Sequence, residues 1–188
     1  MTVELRFGTS IAFGLLTGAC YAHRMDLPAH FRMLARYNRI ANERLFDACS
    51  HLDPVEYRKT RPGSFGSIHA LLNHLLLGDR IWMARFEGGG QVTPALNSVL
   101  FEEFSELREA RVVEDARIEK FFAEADVSLL DQSFRYRNSK GLDYEEQAPV
   151  AIGHFFNHQT HHRGQVHVML SQTAVAPPSL DLHRIINP

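Results

Sequence analysis

Apolar residues recur along the chain mainly every three or four positions, and no convincing run alternates with the period of two typical of a strand. This pattern predicts four long helices. We expect them from about Pro28 to His51, from Ser64 or Ser67 to the glycines at 88–90, from about Val99 to Glu124, and from about Pro149 to Gln172. Asp26 is the expected cap of the first helix. Four amphipathic helices of this length favour an all-α fold, an antiparallel four-helix bundle.

The segments between and after the helices carry weaker signals. The longest connection, from Asp126 to Pro149, allows a short hairpin around Asn138 to Gly141, although its strand signal is weak. The residues after Gln172 are expected to form an extended arm that two adjacent prolines, at 177 and 178, make stiff.

Residues 1–24 are predicted to be an extension outside the folded domain, with Met25 as the functional start and residues 25–188 as the helical bundle. A secretory signal cleaved after Ala22 is the alternative for this segment. Its apolar run from Ile11 to Cys20 is short and interrupted by glycines, and Glu4 precedes it. The extension is therefore the preferred interpretation.

Composition narrows the class of partner. The 188 residues are 45% hydrophobic and 22% charged with a formal net charge of −2, so one domain suffices and the basic surface of a nucleic-acid binder is missing. No apolar run approaches the roughly 20 residues needed to span a membrane. Cys20 and Cys49 form neither a disulfide framework nor a C-x-x-C pair. We expect a cytoplasmic protein that binds neither nucleic acid nor membrane.

Five histidines crowd the fourth predicted helix in "HFFNHQTHHRGQVHVML", residues 154–170. On a helical wheel His158 and His162 lie about 40° apart within the apolar stripe, whereas the other three flank that stripe or face away. On the second helix His74 borders the apolar stripe and His69 does not. One shared cation would satisfy three inward imidazoles, so these positions predict a metal site. For His74 alone, a hydrogen bond to a backbone carbonyl is the alternative.

A zinc-protease motif is excluded by one residue. In H-E-x-x-H the residue after the first histidine is the glutamate that acts as general base, and here Gln159 stands at that position. An amide cannot accept the proton. The metal-binding pair is compatible with the sequence, but the protease mechanism is not.

Among the other residues near the histidines, Asp79 and Arg163 have two interpretations each. Asp79 orients a neighbouring group or forms a salt bridge on the helix surface. Arg163 binds an anionic substrate or, as we prefer, pairs with a carboxylate of the bundle. Gln165 is placed beside His158, where it would support a ligand, and Gly164 is expected to be a close-packing point between helices.

Three blocks of the chain, in this order and at these separations, resemble the bacterial DinB (DinB/YfiT-like) family. The blocks are "LARYNRIANERLFDAC", "GSIHALLNHLLLGDRIWMARFEG" and "HFFNHQTHHRGQVHVMLSQ". The resemblance covers about Asp26 to Ile186. It implies a four-helix bundle that holds a divalent metal, zinc or nickel, through His74, His158 and His162. Some relatives are similar to thiol-dependent transferases that use low-molecular-weight thiols, or to metal-dependent isomerases and hydrolases, and many have no assigned reaction.

Three imidazoles leave an open coordination position, which is typical of catalytic rather than structural zinc. We therefore expect a metal-dependent enzyme that acts on a small molecule, a thiol transferase or a hydrolase, with a low-molecular-weight thiol as a candidate partner. The alternative is a metal-binding stress or regulatory protein without turnover, because no general base is evident and no catalytic residue can be named. Apolar residues on more than one face of several helices favour a homodimer.

Overall fold

The structure, a computed structural model, describes residues 26–89, 95–138 and 140–187. In chain order its elements are α1 (Leu27–Cys49), α2 (Pro54–Arg58), α3 (Ile68–Phe86), α4 (Phe104–Glu124), α5 (Val127–Leu130), β1 (Ser133–Arg137), β2 (Asp143–Gln147), α6 (Ala148–Leu170) and α7 (Leu182–Ile186). The predictions for residues 1–24, including Cys20, lie outside the described residues. The prediction of four long helices is confirmed by α1, α3, α4 and α6.

Local side chains set the helix ends. The Asp26 carboxylate accepts a hydrogen bond from the Ala29 amide at 2.9 Å, which confirms the predicted cap. Ser67 accepts one from the Ala70 amide at 3.1 Å, so of the two predicted starts of this helix, Ser64 and Ser67, the second is the cap. Helix α3 ends at Phe86, and Gly88 follows with a φ of 71°, a left-handed conformation that glycine adopts without strain.

The four long helices pack as neighbours, with α1 and α3 each in contact with both α4 and α6. Two apolar clusters fill the space between them. One is mainly aliphatic and includes Leu45, Leu72 and Leu76, and the other is rich in phenylalanine and includes Phe122 and Phe155. The predominantly helical fold is thereby confirmed, whereas the antiparallel order of all four helices stays a prediction.

The all-α prediction is wrong in one respect, because β1 and β2 form a small antiparallel sheet in register from Ser133 opposite Gln147 to Arg137 opposite Asp143. The turn is where the hairpin was expected. The Asn138 side chain accepts hydrogen bonds from two turn amides, and Gly141 has a φ of 78°. Only Phe134 of the two strands is buried. An exposed hairpin shows no alternation of apolar residues, which explains its weak signal.

Short elements were also missed. Helices α2 and α5 are too brief to show helical periodicity. The tail is not wholly extended as predicted, because α7 packs against α1 and buries Ile185. None of the described helices combines the length and the apolar composition needed to cross a membrane.

Candidate metal centre

The structure brings the three predicted ligands together between α3 and α6. The Nε2 atoms of His74 and His158 are 3.3 Å apart, and one ligand nitrogen from each of His74, His158 and His162 lies within 4.8 Å of the others. A tetrahedral ion with metal–nitrogen bonds of 2.0–2.1 Å separates two ligand nitrogens by about 3.3 Å. The pair is already at that spacing, and a small movement of the third ring would complete the set.

Hydrogen bonds turn two of the three rings towards the shared centre. His74 Nδ1 is 2.8 Å from the Leu96 carbonyl oxygen, and His162 Nδ1 is 2.7 Å from Gln165 Oε1. Both oxygens accept, so each Nδ1 donates and each neutral ring keeps its lone pair on Nε2. The carbonyl contact expected as the alternative for His74 is therefore present together with the cluster. Gln165 supports His162 rather than His158, where the sequence had placed it.

Burial keeps the three imidazoles neutral. It lowers the pKa of His74 and of His162, and it lowers the pKa of His158 to about 3, with repulsion from the charged forms of the other two rings as a further cause. A metal binds the neutral form of imidazole. At neutral pH the cluster thus presents lone pairs instead of positive charges.

Gly78 gives the His158 ring its room. A Cβ at this position would lie 2.8 Å from His158 Cε1, closer than real contacts allow. Gly164, which sequence reasoning chose as the close-packing point, is exposed, and a Cβ there would meet no heavy atom within 4 Å. The prediction for Gly164 is wrong because a glycine's neighbours depend on how two helices pack, which one helix does not reveal.

Known proteins resemble this chain over most of its length. The family model described as "DinB family" matches residues 25–188. The chain belongs to the DinB family. It is also 28% identical over 157 residues to "Protein DinB" of Bacillus subtilis (strain 168), a match that covers 79% of this chain and 88% of that protein. The resemblance predicted from the three sequence blocks is confirmed.

In this DinB-family chain a buried asparagine fastens the segment that supports His74. Asn73 Oδ1 accepts hydrogen bonds from the Leu100 and Phe101 amides at 2.8 and 2.9 Å, and its Nδ2 donates to the Phe101 carbonyl. These bonds hold residues 95–101 against α3, so the Leu96 carbonyl reaches His74. They also occupy the amides just before α4, which begins at Phe104 instead of Val99.

His69 is the inward histidine that sequence reasoning missed. It is 7% exposed, its Nε2 lies 3.1 Å from the Phe101 carbonyl oxygen, and its ring packs edge-on against Tyr57. It faces α2 and the segment before α4, which the helical wheel of α3 does not include. His69 is outside the metal cluster, as predicted, but it is not solvated.

A polar network buried between the four long helices lies next to the three candidate ligands. Asp79, which is fully buried, accepts hydrogen bonds from Gln159 and, at 2.5 Å, from Arg111. Arg111 also pairs with Asp115 at 3.0 Å. Gln159 follows His158 in sequence, so the residue that replaces the protease glutamate is turned into this network and away from the candidate ion. The surface salt bridge suggested for Asp79 is in fact a buried one.

Arg163 belongs to the same network through amides. Its guanidinium donates to the side-chain oxygens of Asn38 and Asn42 and lies over the Tyr37 ring at 5.3 Å. Burial lowers its pKa. Among the described residues it pairs with no carboxylate directly, so the preferred carboxylate prediction is wrong. At 2% exposure it is also closed to a substrate.

Aromatic and imidazole rings border the cluster. Phe65 stacks on His74 with 3.9 Å between ring centroids and meets His162 edge-on at 5.5 Å. His158 is only partly buried, and the exposed His154 and His161 lie beside the cluster. The candidate ion would thus be covered by Phe65 on one side and approachable near His158.

Proposed function

We propose that this DinB-family protein binds a divalent metal, zinc or nickel, through His74, His158 and His162, and uses it to act on a small molecule. The observation that carries the proposal is the convergence of three neutral imidazoles from two helices. Two of them have their Nδ1 atoms committed to oxygen acceptors, so their Nε2 atoms are available. Family membership supports the same site.

The donor set fits such an ion. Imidazole nitrogen is a suitable ligand for both zinc and nickel, and three of them leave a coordination position for water or substrate. When bound, the ion would supply a Lewis acid and lower the pKa of a water or thiol that it coordinates. The protein fixes the rings through Leu96 and Gln165, limits water on one side with Phe65, and keeps the imidazoles unprotonated.

Of the two candidate reactions, thiol transfer suits the site better than hydrolysis. Among the described residues no carboxylate joins the three histidines, and Asp79 is occupied by Arg111 and Gln159. A thiol, with a pKa near 8.5, is far easier to deprotonate than water, so it needs no strong general base. In the transfer, sulfur forms a bond to an electrophilic carbon, the leaving group departs with the bonding electrons, and the thiol proton passes to solvent.

The second candidate is a metal-binding stress or regulatory protein without turnover. The missing base favours it, because a binding role needs no proton acceptor. The two candidates differ in what happens at the open coordination position: the enzyme exchanges thiols there and turns over, whereas the binding protein retains the metal and shows no reaction.

One experiment tests the preferred function. Elemental analysis should find one divalent ion per chain in the wild type and in His167→Ala, a control on the same helix, and much less in His158→Ala. The three proteins are then assayed with low-molecular-weight thiols and activated electrophiles. We expect metal-dependent turnover in the wild type and the control only. Equal activity in His158→Ala would refute the enzyme, and metal binding with no turnover across the panel would favour the binding protein.

The same proposal includes the localisation, the oligomeric state and the partners of the protein. We infer a cytoplasmic homodimer with an antiparallel four-helix bundle in each subunit and no nucleic-acid partner. Support comes from the helix contacts and from exposed apolar side chains such as Val112, Val113 and Val168. Light scattering that gives a mass near one chain would dismiss the dimer.

A further inference from the structure

One arginine on the helix that carries His74 has no partner of opposite charge among the described residues. Arg85 is partly buried near the end of α3, yet it forms no hydrogen bond or ion pair with any described residue. The other arginines of comparable or greater burial in the described residues all have such partners, among them Arg80 with Glu114 and Arg117 with Glu87. In the sequence, residues 90–94 contain no carboxylate side chain.

Two aromatic rings hold the Arg85 guanidinium in place. Its central carbon lies 4.5 Å from the centroid of Trp82 and 3.9 Å from that of Tyr136, and the two rings meet edge-on. The face of an aromatic ring attracts a cation but is not a conventional hydrogen-bond acceptor, so these two contacts leave the N–H groups of Arg85 without one. Those N–H groups are arranged to bind a carboxylate or phosphate with two parallel hydrogen bonds.

Arg85 lies on the side of α3 that carries the candidate metal ligand. His74, Gly78 and Trp82 follow one another at intervals of four residues, and Arg85 is seven residues after Gly78, so all four share one face. On α6 the facing side chains run in the opposite direction: His158 contacts Gly78, and His154 contacts Trp82 at 5.1 Å. We call this line of side chains the α3–α6 row.

The α3–α6 row gives the distance from the candidate metal centre to Arg85. Seven residues of helix from Gly78, opposite His158, to Arg85 span about 10 Å. A ligand that occupied both places would have its reacting atom at the histidines and an anionic group about 10 Å away.

We propose that the substrate of the metal centre carries an anionic oxygen group, a carboxylate or phosphate, which Arg85 binds about 10 Å from the reacting atom. This inference rests on the proposed function. Arg85 is then a specificity-determining residue, and Trp82 and Tyr136 are positioning residues that orient its guanidinium. The net charge of −2 gives the protein no general attraction for anions, so a preference for them would require a local cation.

A structural role is the competing explanation, since a cation in the last turn of a helix interacts favourably with the helix dipole. That role predicts a loss of stability in Arg85→Gln but no effect on which ligand binds. The test must therefore compare ligands that differ only in the anionic group.

Two matched pairs of thiols provide that comparison: glutathione with its diethyl ester, and 4′-phosphopantetheine with pantetheine. Calorimetry is performed on the full chain after its metal content has been measured. In the metal-loaded wild type we expect the anionic member of at least one pair to bind about tenfold tighter than its neutral counterpart, as one charge-assisted contact allows. The pair that shows the difference identifies carboxylate or phosphate as the group.

Variants assign the preference to Arg85. Arg85→Gln should remove the tenfold difference while metal content stays unchanged, and Arg85→Lys should restore part of it. Arg80→Gln is the matched control, because Arg80 is on the same helix and also lies over an aromatic ring, Phe101 at 5.5 Å, but is paired with Glu114. It should keep the full difference. Circular dichroism confirms that each variant is folded.

The outcomes separate this inference from the function beneath it. A wild type that binds no metal refutes the proposed function and the inference with it. A metal-loaded wild type that shows no anion preference in either pair, or an Arg85→Gln variant that keeps the preference, overturns only the inference.

Discussion

Replacing Gly78 with alanine should weaken metal binding through steric displacement of His158. The added Cβ would lie 2.8 Å from His158 Cε1, whereas ordinary contact begins at 3.4 Å, so the ring must recede by about 0.6 Å, the difference between these distances. Metal–ligand distances tolerate only about 0.2 Å. The imidazole that recedes from Gly78 therefore leaves its position in the ligand set.

We expect Gly78→Ala to lower zinc affinity by about 10- to 100-fold, the range typical when the support of a ligand is disturbed. Competition with a chromophoric chelator at pH 7.5 measures the affinity directly. Fold stability should fall little, because alanine in a helix interior is about 1 kcal/mol more favourable than glycine and offsets part of the local crowding.

Gly153→Ala is the matched control. Gly153 lies inside α6, and a Cβ there would meet no heavy atom within 4 Å. This variant should gain stability and keep the wild-type affinity. If Gly78→Ala binds zinc within twofold of the wild type, or if both variants weaken it equally, the steric argument is wrong.

Three further predictions concern protonation and the groups behind the ligands. The folded pKa of His158 is about 3, below the ordinary 6.5, so the contribution of this histidine to the free energy of unfolding is fully present above pH 6.5 and is lost as the pH falls below that value. Between pH 7 and 5 the unfolding free energy of the metal-free wild type, measured in urea, should fall by about 1–2 kcal/mol relative to that of His158→Ala. Asn73→Ala strands two backbone amides and should cost about 2–4 kcal/mol of unfolding free energy. Chymotrypsin, which cuts after Leu and Phe, should cleave residues 95–101 faster in this variant. Asp79→Asn breaks a buried ion pair with Arg111 and should cost about 3 kcal/mol in the same urea assay.

A specific result would contradict each of these three predictions. Parallel pH profiles for the wild type and His158→Ala would mean that the fold does not lower the pKa of His158. Unchanged cleavage in Asn73→Ala would show that residues 95–101 are held by other contacts. An Asp79→Asn variant as stable as the wild type would show that Arg111 does not hold the carboxyl ionised against burial, which raises its pKa.

The cluster of candidate ligands could be predicted from sequence because it depends on local geometry. An i, i+4 pair such as His158 and His162 must share a helix face, and an imidazole within an apolar stripe requires a partner. His74 borders the apolar stripe of the second predicted long helix, now α3, and this position indicated the third candidate ligand. The Asp26 cap could be predicted in the same way, because a cap acts within three residues of its own position, and Ser67 was one of two predicted starts of its helix.

Features that arise where distant segments meet could not be predicted in this way. The bonds from Asn73 to residues 100 and 101, the burial of His69 and the amide partners of Arg163 all depend on tertiary packing. The same holds for the contact of Gly78 with His158, which no single helical wheel contains. A sequence pattern identifies which face of a helix is buried but not which residue of another element it meets.

The proposed function requires one ion bound by three imidazole nitrogens. Anomalous diffraction from crystals of the metal-loaded protein, recorded at the absorption edge of the ion that elemental analysis finds, tests it. We expect a single strong peak about 2.0–2.1 Å from the Nε2 atoms of His74 and His162 and from a ring nitrogen of His158. A peak held instead by the exposed His154 or His161, or no peak at the three histidines in metal-loaded crystals, would contradict it.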